Sequence, residues 1–473
     1  MLAGIVRLSL GVALGLAPSC ALDDGQAADP ATADDSTTVD GEEAGSMAVC
    51  TTGPIRCHAH VRTFGAERRM APRAAGPMAA APIGYGPPDL QAAYKIDPTR
   101  IATTAKPTVA IVDAYGYPKL EADLAAYRLQ YGLPACTVAS GCLKIVNQQG
   151  QTTPLPAAPP TGDDWTIETA LDVDMASAAC PKCKIMVVQA TDNAGNGLYN
   201  AQNAAAAAGA TVISNSWGGP EQGSVATSEP FFNHPAVAIF VAAGDNGYDD
   251  AGQGPDYPGT STFTIAVGGT HLVKSATARG WSETAWTLGG SACSLSVTKP
   301  AYQTASPCTF KATTDIAAVG DPASGLAIYN AKNGGWITVG GTSASSPFVA
   351  AIMAAGGNGS KTTGQFFAQN AAKLNDVVAG SNGTCAADGA LLCTAAVGWD
   401  GPTGFGTPNA TMLSSNIITG TGSGSGSGSG GDNGGTSAGA GTGDVEGGCS
   451  TGGGGAGLVL AVAVVAVGRR RRR

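Results

Sequence analysis

Ser343 lies within Gly340-Gly341-Thr342-Ser343-Ala344-Ser345-Ser346-Pro347, between a strand-like run, Trp336 to Val339, and a helix-like one, Phe348 to Met353. A serine at such a turn exposes its hydroxyl beside the free amides of a helix start, which suits a nucleophile next to an oxyanion site. Gly-Thr-Ser is also ordinary turn chemistry, so the available partners decide between the two readings. Histidine is the usual base. His58 and His60 follow Cys57, His234 precedes Pro235 and His271 follows Gly268-Gly269-Thr270, and none of these settings marks a catalytic histidine. Carboxylates are better placed. In Trp165-Thr166-Ile167-Glu168-Thr169-Ala170-Leu171-Asp172, Glu168 and Asp172 stand at i and i+4 on one helix face, a costly pairing unless the two share a proton. A solvated acidic face is the plainer account of the same pair. Asp245, in Gly244-Asp245-Asn246-Gly247, ends a strand-like run. Aspartate often merely forms such turns, yet strand ends are where open α/β sheets assemble sites.

The elements that must carry these residues alternate along the chain. Strand-like runs at Thr108 to Val112, Ile185 to Gln189, Val212 to Ser216, Val237 to Ala242 and Thr264 to Val267 are interspersed with helix-like stretches at Leu120 to Tyr131 and Leu198 to Ala208. That alternation predicts a mostly parallel sheet covered by helices on both faces. The expected α/β domain spans residues 85–414, because ordered-looking sequence begins near Tyr85 and a Gly/Ser-rich linker starts soon after Pro408.

Taken together, the chain resembles the sedolisin family, the serine-carboxyl peptidases with a subtilisin-like three-layer fold. The likeness rests on the Glu168-to-Asp172 spacing, Ser214-Asn215-Ser216-Trp217-Gly218, Gly244-Asp245-Asn246-Gly247, Tyr257-Pro258-Gly259 before Ala266-Val267-Gly268-Gly269-Thr270, and Gly341-Thr342-Ser343-Ala344, in that order. It implies Ser343 as nucleophile, Glu168 as general base, Asp172 as its proton-sharing partner and Asp245 as the acid of the oxyanion hole. Asp245 must hold a proton to donate a hydrogen bond, which favours acid conditions. The resemblance also implies a Ca2+ site built from the side chains of Asp376 and Asp400 and the carbonyls of Val377, Ala396 and Gly398, hard oxygen donors suited to that ion. Two departures stand out: the sequence ahead of the domain is shorter than the family's large propeptide, and Val109-Ala110-Ile111-Val112-Asp113 resembles the strand that carries the catalytic aspartate of subtilisins. Without a credible histidine beside it, Asp113 is read as structural or as a support behind the residues that touch substrate. The competing reading is a catalytically silent surface adhesion or binding domain on the same fold.

Composition sets the surroundings. Of 473 residues, 43% are hydrophobic and 13% charged, enough for a large core. A net charge of −9 argues against a nucleic-acid partner. Arg7, the apolar Leu8 to Leu16 and the small residues after it predict a signal peptide over 1–21, with Cys20 a poor lipidation match. Residues 22–84 read as an acidic linker and short pro-like segment, 415–448 as a Gly/Ser-rich linker, and 449–473 as a tail in which Cys449, an apolar run and Arg469 to Arg473 resemble a myxobacterial Cys-containing sorting signal. An exported, monomeric protein held at the cell surface or outer membrane, or released from it, and acting on a protein or peptide is the expectation. The ten cysteines between the ends fall into short-spaced neighbours, Cys50/Cys57, Cys136/Cys142, Cys180/Cys183, Cys293/Cys308 and Cys385/Cys393, which suggest five local disulfides. Cys180-Pro181-Lys182-Cys183 has no second such pair or histidine pair to make a zinc site.

Overall fold

A computed structural model describes residues 45–63, 82–98 and 106–413. The signal-like residues 1–21 with Cys20, the linker 415–448 and the tail 449–473 with Cys449 lie outside the described residues. Three short strands come first: β1 (Ser46–Ala48), β2 (Arg56–Cys57) and β3 (His60–Arg62). They are followed by α1 (Pro87–Ala93), β4 (Thr108–Ala114), α2 (Leu120–Gln130), β5 (Leu143–Asn147), α3 (Trp165–Ala179), β6 (Lys184–Ala190), α4 (Asn196–Ala207), β7 (Val212–Asn215) and β8 (Trp217–Pro220). The second half contributes β9 (Ala238–Ala242), β10 (Asp256–Tyr257), β11 (Thr264–Lys274), β12 (Trp281–Ala285), the pair β13 (Cys293–Thr298) and β14 (Phe310–Ala312), β15 (Thr314–Val319), β16 (Leu326–Asn330), β17 (Gly335–Gly340) and α5 (Thr342–Ala355).

Eight of these strands form the central sheet, in the order β12-β11-β9-β7-β4-β6-β5 with β15 also on β11. Every pairing in it is parallel except that of the edge strand β12. Its inner strands are near-continuous apolar runs, as sheets covered on both faces require, and β4 and β9 have residues without any exposure. The subtilisin-like mixed α/β fold is therefore as the sequence implies. β11 runs seven residues beyond the expected Val267, because Gly268 and Gly269 continue the strand. A side chain on Gly268 would collide with the Pro402 carbonyl, and one on Gly269 would come within 2.7 Å of the Trp286 ring, so glycine here permits close packing.

Residues 45–63 differ from the expectation of a linker or pro-like stretch ahead of a domain starting at 85. β3 pairs antiparallel with β17, β1 pairs with β3, and β2 pairs with β8. Strands of two or three residues show no sequence period, and it is the Cys50–Cys57 disulfide and these neighbours that hold the segment. All five suggested cysteine pairs are disulfides.

The two helices that carry the candidate site are central: every residue of α3 is buried, as is nearly all of α5, and they pack on each other. Asp164 caps α3 by accepting from the backbone N–H of Thr166 at 3.2 Å. The other end is held by a buried arginine of α2. Arg128 donates to the carbonyl of Pro134 at 2.6 Å, the hydroxyl of Ser177 at 2.7 Å and the carbonyl of Pro181 at 2.5 Å. Replacing it orphans two buried acceptors, on Ser177 and Pro181, so Arg128→Met is expected to lower unfolding free energy by about 3 kcal/mol, read from urea denaturation followed by circular dichroism.

Candidate active site

Ser343 is the second residue of α5, entered through Gly341 at φ +114°, a conformation that favours glycine. A Cβ there would also collide with the His58 carbonyl and lie 2.8 Å from Asp245 Oδ2. Four residues on, Pro347 has no N–H to give the carbonyl of Ser343. Ser216 takes over: its hydroxyl lies 3.2 Å from that carbonyl and 2.8 Å from Asp172 Oδ1.

The structure unites all four acid-and-serine positions singled out from the sequence. Ser343 Oγ donates to Glu168 Oε2 at 2.9 Å. Asp172 lies one turn further along α3, and the two remaining oxygens, Glu168 Oε1 and Asp172 Oδ2, are buried without any other donor. Only a shared proton can satisfy both, with Asp172 donating, which holds that proton on Asp172 and eases ionisation of Glu168. Asp245 approaches from the end of β9. Its Oδ1 accepts from Thr342 N at 2.8 Å and Thr342 Oγ1 at 2.7 Å, while its Oδ2 has no donor and faces Gly341.

Burial dominates the electrostatics. It raises Glu168 and Asp172 well above the ordinary carboxylate range, and the neighbouring charge of Asp113 raises both further. Burial likewise raises Asp245, against the opposing bonds from Thr342. Asp113, read from the sequence as structural or supporting, is fully buried within this cluster, and burial pushes it up to about 7. Two further participants have only weak sequence signals. Ser216 stands in a motif without acid or base, and Asp256, raised by burial to about 7, precedes Tyr257-Pro258 where it reads as a turn residue.

No histidine takes the hydroxyl of Ser343. His234 bonds the Phe231 carbonyl and His271 pairs with Asp321 at 2.9 Å. His58 and His60 do come to the site: their rings lie 3.4 Å from Asp256 and 3.6 Å from Asp245, and burial lowers them to about 3 and about 4.

Residues 163–362 match the Subtilase family. Kumamolisin of Bacillus sp. (strain MN-32) is 31% identical over 370 residues, covering 70% of this chain and 63% of that protein. Sedolisin of Pseudomonas sp. (strain 101) is 27% identical over 378 residues, covering 71% and 61%. These matches support a place in the sedolisin family. The chain spans less than two thirds of the length of either relative. The solved Pseudomonas sedolisin, a serine-carboxyl proteinase complexed with pseudo-iodotyrostatin, shares the fold at a TM-score of 0.57 and 22% identity, over 71% of this chain and 98% of that one.

A sedolisin-type calcium position can be tested on the chain's own atoms. Asp376 Oδ2 accepts from Gly398 N at 3.0 Å and Asp400 Oδ2 from Ala396 N at 2.9 Å, which brings together the segments that carry the five expected ligands. Burial and the nearby charge of Asp376 raise Asp400 to about 7. Among the described residues no group of three metal-ligating side chains occurs, so a cation here would rely on carbonyls. Two neighbouring carboxylates on loop segments that also carry the expected carbonyls are the hard oxygen donors such a cation takes, and the residues fit by type.

The buried acids link stability to pH. A carboxyl with a raised pKa takes up a proton on folding, so its stabilisation is complete below the ordinary value near 4 and is lost as pH rises through the raised one. With Asp113 and Asp256 at about 7, and Glu168, Asp172 and Asp245 also raised by burial, the melting temperature is expected to fall by on the order of 5 °C or more between pH 4.5 and 8. Asp113→Asn should flatten that slope in differential scanning calorimetry.

Proposed function

We propose that this protein is an exported serine-carboxyl endopeptidase that cleaves peptide bonds through an acyl-enzyme and works best in acid. The observation that carries the reading is the 2.9 Å hydrogen bond from Ser343 Oγ to a buried carboxyl oxygen of Glu168, in a site where no histidine competes for that proton.

In this mechanism Ser343 Oγ attacks the scissile carbonyl and passes its proton to Glu168 Oε2. Asp172 holds the proton it shares with Glu168 and orients it, and Ser216 fixes Asp172 in turn. The negative charge that develops on the carbonyl oxygen meets the backbone N–H of Ser343 and a protonated Asp245 Oδ2. The raised Asp245 supports the second donor, because an ionised carboxylate would repel the oxyanion. Glu168 then gives its proton to the leaving amine, and water releases the acyl group by the reverse path. Five disulfides among the described residues support an oxidising, extracytoplasmic setting. We also assign a Ca2+ to Asp376 and Asp400 and the carbonyls of Val377, Ala396 and Gly398, where the ion would neutralise the neighbouring carboxylates and brace the loops.

Ser343→Ala and Glu168→Gln should each lower kcat/KM for peptide cleavage by about a thousand-fold or more without changing the circular dichroism spectrum, since the members of such a unit fail together. A pH series should peak below neutrality and decline as Asp245 ionises. An optimum near pH 8 that survives Glu168→Gln would reject the carboxyl mechanism.

Chelation should lower the melting temperature and added calcium should restore it, because an ion held only by the folded state stabilises that state. Asp376→Ala should reproduce the effect of the chelator, and an unchanged melting temperature in chelator would remove the ion from the assignment.

A further inference from the structure

The cleft in front of Ser343 is filled by the protein's own chain. β2 lies antiparallel on β8, with Arg56 opposite Gly218 and Cys57 opposite Trp217, so this segment adds a strand to an exposed edge as a bound peptide does. The next residue continues the pattern: His58 N donates to the Ser216 carbonyl at 3.1 Å. The His58 carbonyl then turns toward the nucleophile, accepting from Ser343 N at 3.4 Å, the amide that faces a developing oxyanion in the proposed mechanism. The His58 side chain enters a buried pocket between Gly218 and Asp256. Backbone and side chain together therefore place His58 where the residue on the acyl side of a scissile bond would lie.

The same segment is held more firmly than a substrate. The Cys50–Cys57 disulfide closes it one residue before His58. Asp163 accepts from Thr51 N at 3.0 Å and Thr52 Oγ1 at 3.1 Å, and Asn193 donates to the carbonyls of Thr52 and Ile55, both at 3.0 Å. Beyond the bond facing Ser343, β3 is clamped between β1 and β17, and Val49 N donates to the Ala59 carbonyl at 2.9 Å. β1 belongs to one side of the His58–Ala59 bond and β3 to the other, so their pairing joins the two ends that a cut would separate.

We propose that Cys50–His60 is an intramolecular inhibitor, bound in the register of a substrate with His58 in the specificity pocket and the His58–Ala59 peptide bond facing Ser343. The proposal rests on the assignment of Ser343 as nucleophile. Attack by Ser343 Oγ on His58 would carry the hydroxyl proton through Glu168 to the nitrogen of Ala59, breaking the peptide bond and leaving His58 as a serine ester. Clamped beside β1, the Ala59 amine cannot leave. It attacks the ester, returns the proton to Ser343 Oγ and restores the peptide bond. Preorganisation of this kind binds tightly because little freedom is lost on binding.

Two full-length variants open the loop without touching the proposed catalytic groups: Cys50→Ser with Cys57→Ser, and His58→Pro, which removes the N–H given to Ser216. The first readout needs no catalysis. In a Ser343→Ala background, a fluorescein-labelled synthetic peptide of residues 52–62 is titrated by anisotropy, and each opened chain should bind it roughly ten-fold or more tighter than the closed one. With Ser343 intact, hydrolysis of an unrelated peptide at acid pH should rise by a similar factor. Melting temperatures identify any variant that has lost its fold, and the other variant then carries the test. Equal peptide affinity in closed and opened chains overturns the inhibitor. Tighter binding without any hydrolysis upholds the inhibitor and instead removes the peptidase reading.

Discussion

Four carboxyl groups, Asp113, Glu168, Asp172 and Asp245, are buried around one serine hydroxyl, and no cationic side chain is among the groups acting on Glu168, Asp172 and Asp245. Burial without a counter-charge cannot leave four negative charges, so protons must remain in the cluster. Much else follows from that constraint. Glu168 and Asp172 must face each other to share a proton, which fixes the rotation of α3. Ser343 must reach Glu168, which fixes the start of α5 against α3. Both helices have to be buried almost in full, and the near-continuous apolar strands of the central sheet help to bury them.

Much of this arrangement was legible in the sequence. Ser343 was visible because glycines bracket it where a strand gives way to a helix, and Glu168 with Asp172 because a spacing of four places them on one helix face. The parallel sheet was visible in the alternation of apolar runs. What was missed was missed for identifiable reasons. The strand-like run ends at Val267 by its apolar residues, yet Gly268-Gly269 continues β11 because Pro402 and Trp286 pack where side chains would be. The contact of Gly268 with Pro402, more than a hundred residues away, has no local signature.

The segment 45–63 was hidden for a different reason. Its strands are too short for a period to register, and its burial comes from a disulfide and from pairing with strands some 160 to 280 residues away in the chain. Asp113 was legible as an acid on a strand but was discounted for lack of a histidine, a criterion suited to a different catalytic system. Placement among other acids is what gives it weight, and that is a property of the fold alone.

The two oxygens of Asp245 have separate work. Oδ1 accepts both the amide and the hydroxyl of Thr342, which holds the turn that presents Ser343, while Oδ2 is left facing the reaction. An acceptor keeps its donors whether the group as a whole is neutral or charged, so the proton can come and go on Oδ2 with the turn still tied at Oδ1. Under the proposed mechanism the molecule could thereby change its reactivity without changing its shape. On that proposal, neutral solution would hold it as an intact but idle scaffold, ready again as soon as its surroundings turn sour.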